Sequence, residues 1–150
     1  MEANMPYVKQ EKDFYCGPAV VQMLLAKKGA AITQTQLAKE LKTTEEIGTN
    51  LVDIVCVLLS NGFSADQKDG ASLDDIARAL RENKIVIVCY TGQSHNEPHY
   101  AIVLALTDKE IVLADPFFGE RREVSIPEFL ERWHGNNTPA YGDRAMVAVG

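Results

Sequence analysis

The sequence lacks any long apolar run, and its N-terminus lacks a basic segment followed by an apolar stretch. A membrane-spanning helix needs about 18 or more consecutive apolar residues, and a secretory signal needs that basic and apolar pair. The sequence therefore predicts no membrane span and no signal peptide, and we expect a cytoplasmic location.

Cysteine and positive charge are also scarce. The three cysteines, Cys16, Cys56 and Cys89, lie far apart, without the close Cys or His spacing typical of zinc sites. Fifteen Lys and Arg against 21 Asp and Glu give a net charge of -6, which disfavours a phosphate backbone or an anionic membrane as partner. We expect no metal, no cofactor and no nucleic acid partner.

What is present indicates one compact domain over residues 1–150. The chain is 46% apolar and 24% charged, close to the average of globular proteins, and it holds neither an internal repeat nor a linker. Apolar spacing and capping signals predict helices over 17–29, 32–43, 49–63, 72–84 and 127–135. Short β-branched runs predict strands over 85–91, 99–107, 110–115, 121–126 and 144–149. This order of elements predicts an α+β fold with an antiparallel meander.

A cysteine, Cys16, stands at the start of the first predicted helix. Pro18 fits the first turn of that helix, where its missing N–H is not needed, and Gly29 ends it. A thiol becomes a better nucleophile when the positive end of a helix and a nearby imidazole favour its thiolate. Cys16 is therefore either a small buried residue or a nucleophile, and the rest of the chain must decide between them.

A base for this thiol is offered by the second half of the chain. His99 begins a predicted strand, and Asp115 ends the next one after a turn of only three residues. The start of one strand and the end of the next then lie at the same edge of the sheet, so Asp115 could orient the imidazole. His95, in the polar loop before His99, is the alternative base, and His134 is expected to be a surface cation near a helix end.

A glutamine, Gln10, precedes Cys16 by six positions in "QEKDFYCGPA". A thiolate that attacks a carbonyl needs donors for the oxyanion, and a side-chain amide together with the backbone N–H of the nucleophile would supply two. Gln10 is either this donor, if "EKDFY" forms a loop, or an ordinary exposed polar residue.

Four segments together resemble a known family. "QEKDFYCGPA", "HYAIVLAL", "IVLADP" and "FFGERREVSIPEFLERW" are similar, in this order, to papain-like cysteine peptidases, above all to the bacteriocin-processing family that removes double-glycine leader peptides. The resemblance implies a papain-like α+β fold, in which an N-terminal helical lobe packs on a C-terminal antiparallel sheet with the cleft between them. Family members are commonly the first domain of a peptide-exporting transporter, whereas here a stand-alone domain is expected.

The resemblance also implies a role for each residue of the candidate site. Cys16 would be the nucleophile, His99 the general base and then acid, Asp115 the residue that orients it, and Gln10 the oxyanion donor. The expected activity is hydrolysis of a peptide or protein substrate through a thioester, with a glycine preference on the acyl side. Oligomeric state does not follow from the sequence.

Two other functions are compatible with the same residues. An amidase, deamidase or transpeptidase would form the same acyl-enzyme and would differ only later, in the molecule that accepts the acyl group. A module that binds peptides without cleaving them is disfavoured by the intact set of Cys16, His99 and Asp115. Cys56 and Cys89 lie in apolar runs and are expected to be buried, which would leave Cys16 as the one fast-reacting thiol.

Overall fold

The computed structural model describes residues 3–92 and 97–150 and consists of helices followed mainly by strands. The α-helices of these residues are α1 (Cys16–Lys27), α2 (Gln34–Glu40), α3 (Leu51–Ser60), α4 (Leu73–Arg81) and α5 (Ile126–Arg132). The strands are β1 (Ala65–Lys68), β2 (Ile85–Thr91), β3 (Pro98–Leu106), β4 (Glu110–Asp115), β5 (Gly119–Ser125) and β6 (Met146–Val149). The predicted α+β class is confirmed.

The strands of the described residues form one antiparallel sheet in the order β1-β6-β2-β3-β4-β5. Strands β2 to β5 are consecutive neighbours, as the predicted meander requires. Because side chains alternate across a strand, the sheet buries both faces. Ile87, Cys89 and Ile102 pack with α1 and α3 on one face, while Val86 and Val88 pack with α4 and α5 on the other.

Helices α2 and α4 each begin directly after a residue that caps them. Ser72 caps α4 through a reciprocal pair of hydrogen bonds with Asp75, and Thr33 caps α2 by accepting from the backbone N–H of Gln36. These side chains satisfy N–H groups that have no partner inside the helix. Strand β1, by contrast, has no predicted counterpart, because three of its four residues are charged or polar and form no apolar or β-branched run.

The expectation for Cys56 is wrong, whereas the expectation for Cys89 is confirmed. Cys89 is 2% exposed within β2, but Cys56 lies on the outward face of α3 together with the exposed Val52 and Leu59. Helix α3 is apolar on nearly all sides, so its apolar spacing does not distinguish the buried face from the exposed one. Within residues 3–92 and 97–150, no helix is long and apolar enough to cross a membrane.

Candidate active site

The start of α1 is held tightly against the loop that precedes α3. A Cβ atom on Gly17 would lie 2.4 Å from Oγ1 of Thr49, so the two backbones can approach only because residue 17 is a glycine. Thr49 is itself fixed by its Oγ1, which lies 2.7 Å from Oγ1 of Thr43, and by its carbonyl, which accepts from the Tyr100 hydroxyl at 2.6 Å. Cys16, the first residue of α1, therefore has a rigid setting.

Cys16 is buried, with 8% of the residue exposed. Burial raises the pKa of this thiol to about 11, and the negative charge of Asp115 adds to the rise, while backbone N–H groups partly oppose it. The free thiol is thus protonated at neutral pH. A reaction at Cys16 requires a base that removes this proton as the sulfur attacks.

His99 and Asp115 are in direct contact at the end of the β3–β4 hairpin. Nε2 of His99 lies 2.7 Å from Oδ2 of Asp115, and Asp115 is fully buried. Burial opposes ionisation of Asp115, but the hydrogen bonds and the charge that it receives outweigh this effect and lower its pKa. An ionised carboxylate only accepts hydrogen bonds, so Nε2 carries the proton and Nδ1 is left as the basic nitrogen.

The carboxylate of Asp115 receives donors at both oxygens. Oδ1 accepts from the backbone N–H groups of Phe117 and Phe118, at 2.9 and 3.0 Å. Oδ2 accepts from the Tyr90 hydroxyl in addition to facing His99. The imidazole of His99 lies between two rings, with centroid distances of 4.5 Å to Tyr90 and 5.5 Å to Phe118. The ring of His99 is therefore fixed both by its partner and by its neighbours.

The segment that carries Gln10 is hydrogen-bonded both to the loop after β4 and to helix α2. The Gln10 N–H donates to the carbonyl of Pro116 at 3.0 Å, directly after Asp115. On the other side Gln34, which is 1% exposed, donates to the carbonyl of Lys9 and accepts from the N–H of Glu11, both at 2.9 Å. Residues 11 and 12 form a bend and residues 13 and 14 a turn before α1, so the loop that an oxyanion role for Gln10 requires is present.

The side-chain amide of Gln10 is occupied by its own loop. Its Nε2 donates to the carbonyls of Lys12 and Asp13, each at 2.9 Å. Its Oε1 is buried and has no hydrogen-bond partner in the part of the chain that the structure describes. A buried carbonyl oxygen without a donor is costly. The Gln10 amide is therefore satisfied on one side only.

A cavity of about 940 Å³ joins the candidate residues. Cys16, His99 and Gln10 all line it, whereas the fully buried Asp115 lies behind His99. The charged side chains around the cavity are exposed and mostly acidic. Lys12 is positively charged, whereas the acidic residues are Glu11, Asp13, Glu45, Glu46 and Glu97. A thiol, an imidazole paired with a carboxylate and an amide thus face one space large enough for a peptide.

Of the other two histidines, the structure describes only His134. His95 lies outside the described residues. His134 lies near Thr91, with Nδ1 3.4 Å from the threonine hydroxyl, and is not among the residues that line the cavity. Among residues 3–92 and 97–150, no group of three or more His, Cys, Asp or Glu is placed to hold a metal ion.

Sequence reasoning missed the residues that support the site. Tyr90 and Phe118 hold the His99 ring, Gln34 holds the Gln10 loop, and Thr49 packs on Gly17. None belongs to a recognisable motif. Tyr90 alone had a signal, because it lies on the strand that pairs with the His99 strand, but the loop between these strands does not fix their register.

The burial of Cys16 and the exposure of Cys56 change the expected order of thiol labelling. At pH 7 we expect iodoacetamide to modify Cys56 at least as fast as Cys16, while the buried Cys89 stays unmodified. Labelling of Cys16 should accelerate as the pH rises toward the pKa of its thiol. Peptide mapping of wild type and Cys56→Ser measures each rate, and a pH-independent, fast reaction at Cys16 would contradict the protonated thiol.

Comparison with known proteins identifies the family of this chain. The profile of the Peptidase C39 family matches residues 4–138 of the chain. An uncharacterised protein of Methanothermobacter marburgensis is 34% identical over 115 residues, which are 77% of this chain and 74% of that protein. The lactococcin-G-processing and transport ATP-binding protein LagD of Lactococcus lactis is 30% identical over 86% of this chain, but the match spans only 17% of LagD.

Solved structures share the fold. A double-glycine-motif protease from an AMS/PCAT transporter, determined with its leader peptide, superposes with a TM-score of 0.72 at 16% identity, over 99% of this chain and 92% of that chain. The peptidase domain of Streptococcus ComA superposes with a TM-score of 0.71 at 19% identity, over 95% of this chain and 96% of that chain. The papain-like α+β architecture expected from the sequence is confirmed. The family match, which spans most of the chain, shows that the protein belongs to the Peptidase C39 family.

Proposed function

We propose that this protein is a cysteine peptidase that cleaves a peptide bond through a thioester on Cys16. The observation that carries the proposal is the His99–Asp115 contact of 2.7 Å, with His99 lining the same cavity as Cys16. This pairing leaves Nδ1 of His99 as the basic nitrogen on the side away from Asp115. A buried, protonated thiol and an imidazole that line one cavity are the starting point for attack assisted by a general base.

The proposed reaction has two halves. As Sγ of Cys16 bonds to the carbonyl carbon, its proton passes to Nδ1 of His99, and the carbonyl oxygen becomes an oxyanion. The protonated His99 then gives this proton to the amide nitrogen, the C–N bond breaks and the amine leaves. Water attacks the thioester, again losing a proton to His99, and the carboxylic acid is released as Cys16 regains its proton.

We assign the oxyanion to two donors, the backbone N–H of Cys16 and the side-chain amide of Gln10. Both hydrogens of this amide are engaged with the carbonyls of Lys12 and Asp13 in the free protein. To bind the oxyanion, one N–H of the Gln10 amide must therefore leave its carbonyl partner and turn into the cavity. The negative charge of the oxyanion makes this exchange favourable, because a hydrogen bond to an ion is stronger than one to a neutral carbonyl.

The proposed substrate is a leader-type peptide with glycine on the acyl side of the cleaved bond. This proposal rests on the double-glycine protease that shares the fold and on the processing role in the name of LagD. The exposed carboxylates around the cavity suggest that basic residues near the cleaved bond are favoured over acidic ones.

The test is incubation of the purified protein with a defined peptide pool and mass spectrometry of the products. The pool contains double-glycine leader peptides, copies with Ala-Ala at the same place, and copies in which Lys or Glu flanks that place. We expect cleavage after Gly-Gly, faster with Lys than with Glu at low salt, and none in Cys16→Ala. Equal cleavage by Cys16→Ala would overturn the proposal, as would a pool that stays intact.

The competing acyl-transfer activity is separated in the same experiment. Cleavage in ¹⁸O-labelled water introduces one labelled oxygen into the new carboxyl group if the acceptor is water. Addition of an amine at millimolar concentration yields an amide instead if the thioester is passed to amines. We expect the labelled acid to predominate in both reactions. A predominant amide product would assign the protein to transpeptidation.

A further inference from the structure

A tyrosine lies directly behind the candidate catalytic pair. Tyr90 of β2 stands opposite His99 of β3 in the strand register, and it is fully buried. Its hydroxyl donates to Oδ2 of Asp115, the same oxygen that lies 2.7 Å from Nε2 of His99. One side chain therefore contacts both members of the pair, with its ring against the imidazole and its hydroxyl on the carboxylate.

The Tyr90 hydroxyl can only act as a neutral donor in this place. Burial, together with the negative charge of Asp115, raises the pKa of Tyr90 well above its ordinary value. Arg122 of β5 opposes part of this rise, because its positive guanidinium lies 5.8 Å from the Tyr90 ring centroid and 3.7 Å from that of Phe118. Burial and the charge of Asp115 outweigh the effect of Arg122, so the hydroxyl keeps its proton.

We propose that Tyr90 is a positioning residue, whose hydroxyl holds the Asp115 carboxylate ionised and aimed at Nε2 of His99. The proposal rests on the proposed function for its kinetic consequences. The backbone N–H groups of Phe117 and Phe118 fix Oδ1, but on the Oδ2 side Tyr90 is the donor that accompanies His99. Without it, the carboxylate could rotate away from the imidazole, and Nδ1 would lose its fixed orientation toward the cavity.

Loss of the Tyr90 hydroxyl should shift the pH dependence of activity in one direction. Hydrogen bonds from His99 and Tyr90 help to lower the pKa of Asp115 against the opposing effect of burial. Removal of the Tyr90 hydroxyl must raise that pKa, so Asp115 becomes protonated, and its hold on His99 is lost, at a higher pH than in the wild type. The part of the acid limb of kcat/KM that reports protonation of Asp115 should therefore move to higher pH.

Few other titratable groups face Asp115 in the described structure. Arg122 approaches from β5 and Cys16 from α1, while Tyr7 donates its hydroxyl to the backbone carbonyl of Asp115 at 2.7 Å. Helix α5 contributes the ring of Phe129, which has no charge, 6.3 Å from the Tyr90 centroid. Tyr7 supplies a matched control, because its hydroxyl contacts the same residue but not the carboxylate.

The test compares Tyr90→Phe with Tyr7→Phe. We expect Tyr90→Phe to lower kcat by about 10-fold with little change in KM, the scale of one lost hydrogen bond to a charged group. Its acid limb should move to higher pH, while that of Tyr7→Phe stays in place. In the Asp115→Asn background, Tyr90→Phe should have little further effect on kcat, since it acts through the carboxylate.

A second measurement does not depend on peptidase activity. In the Cys16→Ala background, the Nε2 proton of His99 bonded to Asp115 should give a downfield ¹H NMR signal. Tyr90→Phe should lose this signal at a higher pH than the parent protein. If the signal shifts but no peptide is cleaved by any form, Tyr90 keeps its role and the proposed function fails. If peptides are cleaved but neither signal nor acid limb moves, Tyr90 is not a positioning residue.

Discussion

His99→Ala should abolish peptide cleavage, with a fall in kcat of at least about 10⁴-fold, the scale on which removal of a catalytic base acts in a coupled set. The cause is the protonated state of Cys16, whose thiol pKa of about 11 leaves it without an intrinsic supply of thiolate at neutral pH. Asp115→Ala should be less severe, because an imidazole without its partner still samples the productive tautomer and orientation. Initial rates on one cleaved peptide measure both variants.

His134→Ala is the matched control, since it removes a histidine that does not line the cavity, and it should retain wild-type kcat. Asp115→Ala also leaves the Tyr90 hydroxyl and two backbone N–H groups without their acceptor, so its thermal unfolding must be measured beside its rate. Full activity in His99→Ala would contradict the assignment of the base. The role would then pass to His95.

The hairpin that brings His99 and Asp115 together could be predicted because its geometry is local. A connection of three residues, 107–109, fixes which ends of β3 and β4 meet, and two apolar runs fix the strands themselves. Helix α1 was predictable for a similar reason, since Pro18 and the apolar spacing mark its start. In these places local chemistry and the global fold agree.

The supporting residues could not be predicted because they depend on tertiary register. Tyr90 meets His99 through the pairing of β2 and β3, whose connection is too long to set a register by itself. The exposure of Cys56 depends on which side of the uniformly apolar α3 meets the core. Gln10 was placed near Cys16 by its spacing, but the hydrogen bonds of its amide to the loop carbonyls leave no trace in the sequence.

Gln10→Ala should lower kcat by roughly 10²–10³-fold, or about 2.7–4 kcal/mol of transition-state stabilisation, if its amide donates to the oxyanion. The charge on that oxygen develops mainly in the transition state, so KM should change little. Gln10→Glu should be no better than alanine, because it brings a negative charge to the place where negative charge must form. Steady-state rates on one cleaved peptide measure kcat and KM separately.

The contacts of Gln10 in the free protein suggest an alternative, purely structural role, which the experiment must distinguish from oxyanion binding. If the amide served only to hold the carbonyls of Lys12 and Asp13, Gln10→Ala would loosen the loop before α1, raise KM and lower thermal stability, with kcat largely preserved. Alkylation of Cys16 in a Cys56→Ser background provides a further control, because displacement at a haloacetamide forms no tetrahedral oxyanion. We expect that rate to match the parent protein even as peptide cleavage falls. Equal losses of alkylation and cleavage would show that Gln10 organises the loop around Cys16, and the oxyanion would then depend on the backbone N–H of Cys16 without the glutamine.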